Sequence, residues 1–276
     1  MNADLHCHST VSDGWLAPAE LVRRAAANGV TLLALTDHDE VGGVDEALAT
    51  AAECGIRVVP GVEISVSFRD ETVHIVGLGI DHRHPALVAG LMQVRRGRSA
   101  RAARIGEALA AAGIRGALEG ARRFARNPEL VSRAHFARFL VTTGLMPDVA
   151  TVFRYYLVRG KPGFVEHDWA RLEDAVGWIR AAGGVAVIAH PARYRYSEAE
   201  MDELFDRFTA CGGEGVEVVT GAHSDAEAAR FATVARQRGL LASRGSDFHG
   251  EKESPIDLGR CRSLPPDLAP VWSRLA

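Results

Sequence analysis

Asp4-Leu5-His6-Cys7-His8-Ser9 closes the first strand-like run of the chain, Ala3 to His8. Alternate side chains of a strand share a face, so His6 and His8 point together while Cys7 points away. Two imidazoles fixed side by side make half of a divalent-cation site. Taken alone, the pair also reads as two polar residues lining a barrel, and the rest of the chain decides between the two. Cys7, on the opposite face, reads as a packed residue and not a ligand.

Working outward, a second candidate strand, Thr31 to Thr36, runs into Thr36-Asp37-His38-Asp39. The third, Arg57 to Ile64, carries Gly61-Val62-Glu63, and the fourth, Thr72 to Ile80, carries His74. Further strands are expected over Val185 to Ala189, Gly215 to Thr220 and Leu240 to Ser243; the first of these leads into His190-Pro191, and Ser246-Asp247-Phe248-His249 follows the last. Helical stretches fall between them. One of about ten residues lies between Pro18 and Gly29, in the positions helix starts and stops favour, and others cover Val44 to Glu53, Leu172 to Ala182, Glu198 to Cys211 and Ala226 to Arg238. This alternation marks an α/β chain of βαβ units with a parallel sheet. The seven strands are one short of the usual eight-stranded barrel. In such barrels the carboxyl ends of the strands converge on one face, where active sites are built. Six of the eleven histidines lie at or beside these strands' ends, an allocation that core packing would not demand.

At 276 residues the chain suits one large core with a small inserted unit. A hydrophobic content of 47% and a mean hydropathy of −0.01 describe a globular enzyme. Without a membrane-length apolar run or a leader, the expected location is the cytoplasm. Four scattered cysteines, Cys7, Cys54, Cys211 and Cys261, form no CxxC pair and read as reduced. The net charge of −3 hides an asymmetry: residues 86–165 hold 14 Lys and Arg against 4 Asp and Glu, or +10, leaving −13 for the remainder. That stretch, rich in Ala, Arg and Leu, reads as a helical insertion between barrel segments 1–85 and 166–276, with a strand-like run only at Tyr155 to Val158. Such a segment is suited to meet an anion.

The ordered set HxH, TDHD, GVE, a following His, HP and SDFH, spanning residues 4 to 249, closely resembles the polymerase and histidinol phosphatase (PHP) family. The resemblance implies a distorted seven-stranded (β/α)7 barrel with two or three divalent metal ions, manganese foremost, with zinc or iron as alternatives. Carried over by position, it implies that His6, His8, Glu63 and Asp247 hold one metal. Glu63 would bridge to a second, also held by His74 and His190, and Asp13, His38 and His249 would hold a third. Of these, Asp13, His38, Glu63, His190, Asp247 and His249 would be catalytic. Three carboxylates and six neutral imidazoles leave positive charge over from three divalent ions, which a phosphate and a hydroxide can neutralise. Mixed imidazole and carboxylate donors suit manganese, zinc or iron better than magnesium. Metal-bound hydroxide would then attack phosphorus, with no seryl or cysteinyl intermediate. Asp37 and Asp39 flank His38, and one of them is expected to orient its ring.

Arg95, Arg98 and Arg101 recur every third residue and form one stripe on a helix. With Ser132, Arg133, His135 and Lys161 from the insertion and Arg193 after the His190 strand, Arg98 and Arg101 are the candidates for gripping a second phosphate. Tyr194 and Tyr196 are candidates for stacking on a base. A cationic amine, as in histidinol phosphate, would call for a free carboxylate, which so basic an insertion does not favour. The arrangement is similar to the branch that hydrolyses nucleoside 3′,5′-bisphosphates, although Ser132 and Ala134 depart from the Gly-Arg-Pro-His found in other members. The expected substrate is therefore a small nucleotide that loses its 3′-phosphate. Alternatives are a 5′-to-3′ exonuclease on short 5′-phosphorylated strands, a histidinol-phosphatase type, and a non-catalytic nucleotide-binding module. The overall charge disfavours duplex nucleic acid, and neither a membrane nor an obligate protein partner is expected.

Overall fold

A two-residue turn, Arg69-Asp70, decides the direction of the strands in the middle of the sheet. A computed structural model describes residues 1–275, and in it β3 (Arg57–Phe68) folds back through this turn onto β4 (Glu71–Leu78) as an antiparallel pair. Parallel neighbours need a crossover of a dozen or more residues, and the chain between these strands is too short for one. The expected all-parallel start to the barrel is corrected at that point. The remaining strands keep the parallel plan: β1 (Ala3–Asp4), β2 (Leu32–Leu35), β6 (Val185–Ile188), β7 (Gly215–Thr220) and β8 (Leu241–Gly245). The sheet order is β1-β2-β3-β4-β6-β7-β8, with the short β5 (Ala170–Arg171) added to the end of β3. Between β8 and β1 the barrel is drawn together by Leu5 N–H donating to the Arg244 carbonyl and Asp247 N–H donating to the His6 carbonyl. Gly245 permits that approach, since a Cβ there would lie 2.4 Å from the His6 Cβ.

Helices α1 (Pro18–Ala27), α2 (Val44–Cys54), α7 (Leu172–Ala181), α8 (Glu198–Ala210) and α9 (Asp225–Arg238) pack around the barrel, within a residue or so of the expected spans. One set of alternating strand residues, including Leu5, Leu32, Ala34, Val59, Val76 and Val187, fills a buried core of its own. The period-two pattern thus separates a packed interior from the residues that reach the mouth.

Residues of the insertion form α3 (Pro85–Ala111), α4 (Ala117–Arg122), α5 (Arg133–Thr142) and α6 (Val149–Val152). The first half of α3 still belongs to the barrel, where Leu87 and Leu91 join the main core. Gly90 faces the Trp178 ring, with no room for a side chain. From Ala102 onward a separate core of Ile105, Leu109, Phe136, Leu140, Val152 and Leu157 takes over, with Phe136 fully buried, a contribution of about 1.5–3 kcal/mol. Of Tyr155 to Val158, expected to be strand-like, Tyr155 to Leu157 instead lie on a π-turn, Phe153–Leu157, that continues α6, and Val158 follows it in extended conformation. Docking of Leu157 into the helical core overrides the strand preference of its neighbours. No helix among the described residues is long and apolar enough to cross a membrane.

Candidate metal centre

The side chains singled out at the strand ends meet in one small volume. His6 and His8 share a face as their alternation requires, with Nε2 atoms 3.1 Å apart. Glu63, on β3 and fully buried, is the hub. Its Oε1 lies 2.9 Å from His74 Nδ1, 2.9 Å from His190 Nε2 and 3.3 Å from His6 Nε2. Its Oε2 lies 2.8 Å from His38 Nδ1 and 3.3 Å from His8 Nε2. Asp247 Oδ1 lies 3.2 Å from His8 and 3.4 Å from His6. Asp13 Oδ1 faces His249 Nε2 at 3.4 Å and His38 Nε2 at 3.8 Å. His74 reaches the group because β4 runs backwards, which brings the first half of that strand beside the end of β6; Ala189 N–H donates to the His74 carbonyl.

Their donor atoms fall into four overlapping sets able to hold a metal ion: His8-Asp13-His38-His249, His6-Glu63-His190, His6-His8-Asp247 and His38-Glu63-His74. All nine expected residues are present. The grouping differs from that implied by family resemblance: His8 also lies with Asp13, His38 and His249, His6 with Glu63 and His190, and His38 with Glu63 and His74, so that His74 and His190 fall in separate sets.

Buried polar atoms test whether cations fit. Among the described residues, Asp13 Oδ1, Glu63 Oε2, His8 Nδ1 and His38 Nδ1 are buried without a hydrogen-bond partner, although imidazole nitrogens stand beside the carboxylates. Unpaired buried polar atoms are costly and rare, and lone pairs that converge without protons between them are what a cation satisfies.

Electrostatics follow the same geometry. Burial opposes ionisation of Glu63, yet His74, His6 and His38 hold its carboxyl well below the usual range. Asp13 and Asp247 are likewise held low against burial, by His38 and His249 and by Arg193 and His6 respectively. Burial, then the charges of His249 and His38, push His8 down to about 3, and burial with Arg193 pushes His190 down to about 4. Both therefore offer neutral imidazoles, the form that ligates metal. Burial opposes charge on His249 as well, but Asp13 raises it to about 9.

Backbone strain marks the same strand ends. Asp39, His190 and Asp247 have φ values of 52°, 29° and 54°, a region that costs non-glycine residues energy and collects at functional sites.

Glu217 went unnoticed in the sequence. On β7 and almost fully buried, it accepts from His6 Nδ1 at 2.8 Å and from His190 N–H at 2.5 Å. It thereby fixes the His6 ring with Nε2 facing the cluster. The available signal was a lone acid in Gly215-Val-Glu-Val-Val-Thr220. Asp37 and Asp39 do not orient the His38 ring as expected. Asp37 accepts from Ser9 N–H, Ser9 Oγ and Ser12 Oγ, and Asp39 from Ser65 N–H and Ser65 Oγ. Both therefore hold the backbone around the ligands. Cys7 packs as expected, and all four cysteines are free thiols.

A cavity of about 270 Å³ opens over the cluster, and a second of about 430 Å³ adjoins it; Thr72, His74, Arg101, Arg133, His190 and Arg193 line both. Of the proposed anion-gripping residues, Arg98 lines the first cavity but has its guanidinium on Asp39, with Nε 2.6 Å from Oδ2, and on Ser65 Oγ at 2.9 Å. Arg101 and Arg133 differ. Each is held by a backbone carbonyl, of Val165 and Leu157, at 3.3 Å. Burial, then the charges of Arg133, Arg98 and Arg104, push Arg101 down to about 8, and burial with Arg98 pushes Arg133 down to about 10. Guanidinium groups hold their protons, so an anion is what relieves this crowding. Arg193 lies 2.6 Å from Asp247 Oδ2 at the join of the cavities.

Ser132 caps α5, accepting from Ala134 N–H, and His135 Nδ1 accepts from Ser132 N–H. Ser132 lines the first cavity; His135 is buried behind it, and burial pushes it down to about 4. Lys161 lies outside both cavities on an exposed turn, where its backbone closes the chain between Val158 and Phe164; Arg159 lines the second cavity instead. The hydroxyls of Tyr194 and Tyr196 donate to the Ala189 and Phe68 carbonyls; Tyr194 lines the second cavity and Tyr196 lines neither. The second cavity is also less purely basic than the insertion's composition implies, because Asp70, Glu71, Glu166 and Asp168 line it from outside that segment.

This chain belongs to the PHP family: the PHP domain model matches residues 4–220. It is 54% identical to the 3′,5′-nucleoside bisphosphate phosphatase of Chromobacterium violaceum, over 99% of this chain and 96% of that protein. It is 43% identical to a 5′-3′ exoribonuclease of Haemophilus influenzae, over 98% of each. A solved structure described as an amidohydrolase from Chromobacterium violaceum, with bound sulfate and no metal, superposes with a TM-score of 0.97 at 54% identity, covering 100% of this chain and 96% of that one.

Proposed function

We propose that the chain is a metal-dependent phosphomonoesterase that removes the 3′-phosphate from nucleoside 3′,5′-bisphosphates, converting adenosine 3′,5′-bisphosphate to AMP and phosphate. One observation carries this reading. The cluster of nine ligating side chains opens directly onto a chamber lined by the buried Arg101 and the half-buried Arg133, which among the described residues are held by backbone carbonyls and not by a carboxylate. One end suits the phosphoryl group to be cleaved and the other a second phosphate. The name of the 54% identical relative supports the same substrate.

His6, His8, Asp13, His38, Glu63, His74, His190, Asp247 and His249 would hold two or three cations, manganese foremost, and zinc or iron also suit these donors. When bound, the cations supply Lewis acidity toward the phosphoryl oxygens and lower the pKa of water. The chain's own part is placement. Glu217 holds the proton on His6 Nδ1, and the Asp247 carbonyl, 3.0 Å from His249 Nδ1, holds one there. The Nε2 lone pairs of both rings are thereby left facing inward. Arg101 and Arg133 fix the distant 5′-phosphate with charge-assisted hydrogen bonds, and Arg193 stands between the two ends. Water adds to phosphorus, the P–O3′ bond breaks, and the ribose oxygen takes up a proton as it leaves. The compartment is proposed to be the cytoplasm, as expected of a nucleotide-processing enzyme.

Inorganic phosphate release from adenosine 3′,5′-bisphosphate and from histidinol phosphate, each with manganese, tests the substrate. Turnover of the former with little of the latter is expected, and no turnover of the bisphosphate removes the reading. A second activity, stepwise 5′-to-3′ cleavage of short 5′-phosphorylated strands, is favoured by the larger second chamber, which gives room beyond Arg101 and Arg133 for further nucleotides. Release of mononucleotides from a 5′-phosphorylated trinucleotide supports it, and an intact chain excludes it.

A further inference from the structure

We propose that the insertion is a positioning device for one cation set, His8-Asp13-His38-His249, and that Arg98 and Arg138 couple its docking to that set's affinity for metal. This rests on reading the cluster as a metal centre. His8 stands beside β1, but the other three residues sit on loops that follow β1, β2 and β8. Each of these loops is gripped from the insertion.

Arg138, on α5 and 3% exposed, donates from Nη2 to the Asp13 carbonyl at 2.5 Å. It also forks onto Glu253, four residues past His249, with Nε 2.8 Å from Oε1 and Nη2 2.7 Å from Oε2. Trp15, two residues past Asp13, lies under the same guanidinium at 4.6 Å, and its Nε1 donates to Glu253 Oε1 at 2.7 Å. On the other side, α3 holds the His38 loop. Arg98 pairs with Asp39, 0% exposed, at 2.5 Å, and Arg95 Nη1 donates to the Asp39 carbonyl at 2.9 Å. Two arginines, Arg98 just before the separate core begins on α3 and Arg138 on α5, therefore hold the loops that carry one set of ligands.

The other sets are built differently. Glu63 and His74 stand within the β3–β4 ladder, and His6 and His190 are bound to Glu217 of β7. Barrel hydrogen bonds hold these residues whatever the insertion does; His38, which also stands beside Glu63 and His74, is the exception. A guanidinium fork fixes both distance and angle of the group it grips, so cutting either latch loosens Asp13 or His38 and leaves the Glu63 hub in place. By linkage, a cation in the four-residue set must tighten the insertion onto the barrel as much as the latches tighten the cation.

Calorimetric titration of chelator-treated protein with manganese, paired with hydrogen exchange, tests the coupling on wild type, Arg138→Lys, Arg98→Lys and Glu253→Gln. The exposed Arg123→Met serves as a control. With Arg138→Lys and Glu253→Gln, one binding step is expected to weaken about 10–100-fold, the range for outer partners of metal ligands, while the others stay within about twofold. Arg98→Lys is expected to weaken that step and also the one that uses His38 with Glu63 and His74. Adding manganese to wild type is expected to slow exchange in residues 133–142, and to do so much less in the variants. Glu253→Gln changes one functional group and keeps the test open if an arginine variant fails to fold. Latch variants that titrate like wild type, or that weaken every step alike, overturn the inference. Wild type that binds no manganese removes the metal reading beneath it as well.

Discussion

Buried charge in the barrel and buried charge in the insertion are resolved in opposite ways. At the barrel mouth carboxylates and imidazoles face one another within a few ångströms, and Glu63 alone has five ring nitrogens around it. In the insertion the buried charges are guanidiniums, and they divide by what lies in reach. Arg98 and Arg138 find Asp39 and Glu253 and act as latches; Arg101 and Arg133 are held by backbone carbonyls and left facing the chamber. One residue type, only three to five residues apart on each of two helices, is thus a latch or left facing the chamber according to whether a carboxylate stands opposite. The barrel brings its own counter-charges, whereas the insertion awaits part of its own from the substrate.

Substitutions can break this contrast. The largest effect is expected at the hub: Glu63→Gln should lower manganese affinity and phosphate release by more than about 100-fold, beyond what outer partners of ligands cost. Next come the arginines, where stability and kinetics should separate. Arg98→Met strands Asp39 and should cost about 3–5 kcal/mol in denaturant unfolding. Arg101→Met or Arg133→Met removes a crowded charge and should leave the substrate-free protein as stable or more so, yet raise KM for a 3′,5′-bisphosphate about 10–100-fold, in line with one charge-assisted hydrogen bond. A substrate lacking the 5′-phosphate should not register either change. Glu217→Gln keeps the shape of the His6 contact and should weaken metal binding about tenfold, seen in equilibrium dialysis. Lys161→Ala, outside both chambers, should shift KM by less than about twofold, as surface changes usually do.

Most of the nine barrel residues were legible because they sit at or near strand ends, where the period of two and the barrel's convergence place side chains before any tertiary contact is known. Glu63 and His74 lie within β3 and β4, and Asp13, in the loop after β1, came from the family resemblance alone. The reversal of β4 was legible too, in the short Arg69-Asp70 connection, but the βα alternation on either side masked it. Glu217 was hidden for a different reason: it lies within a strand, and its role depends on the distant His6 and His190. The insertion gave up its helical character and its charge, and its arginine stripe is real. Which arginine stays free could not be read, since Asp39 and Glu253 lie 59 and 115 residues from Arg98 and Arg138. Composition also missed the acids that the barrel contributes to the second chamber, and placed Lys161 inside it because neighbours in sequence were taken for neighbours in space.

Elemental analysis of protein purified without added metal, with X-ray data collected at the absorption edge of whatever metal is found, tests the central claim most directly. The expected result is two or three divalent cations per chain, manganese foremost, each lying between donor atoms of Glu63 and its surrounding histidines and carboxylates. Protein that carries no cation, takes up none on dialysis against manganese and still releases phosphate at an undiminished rate would contradict it.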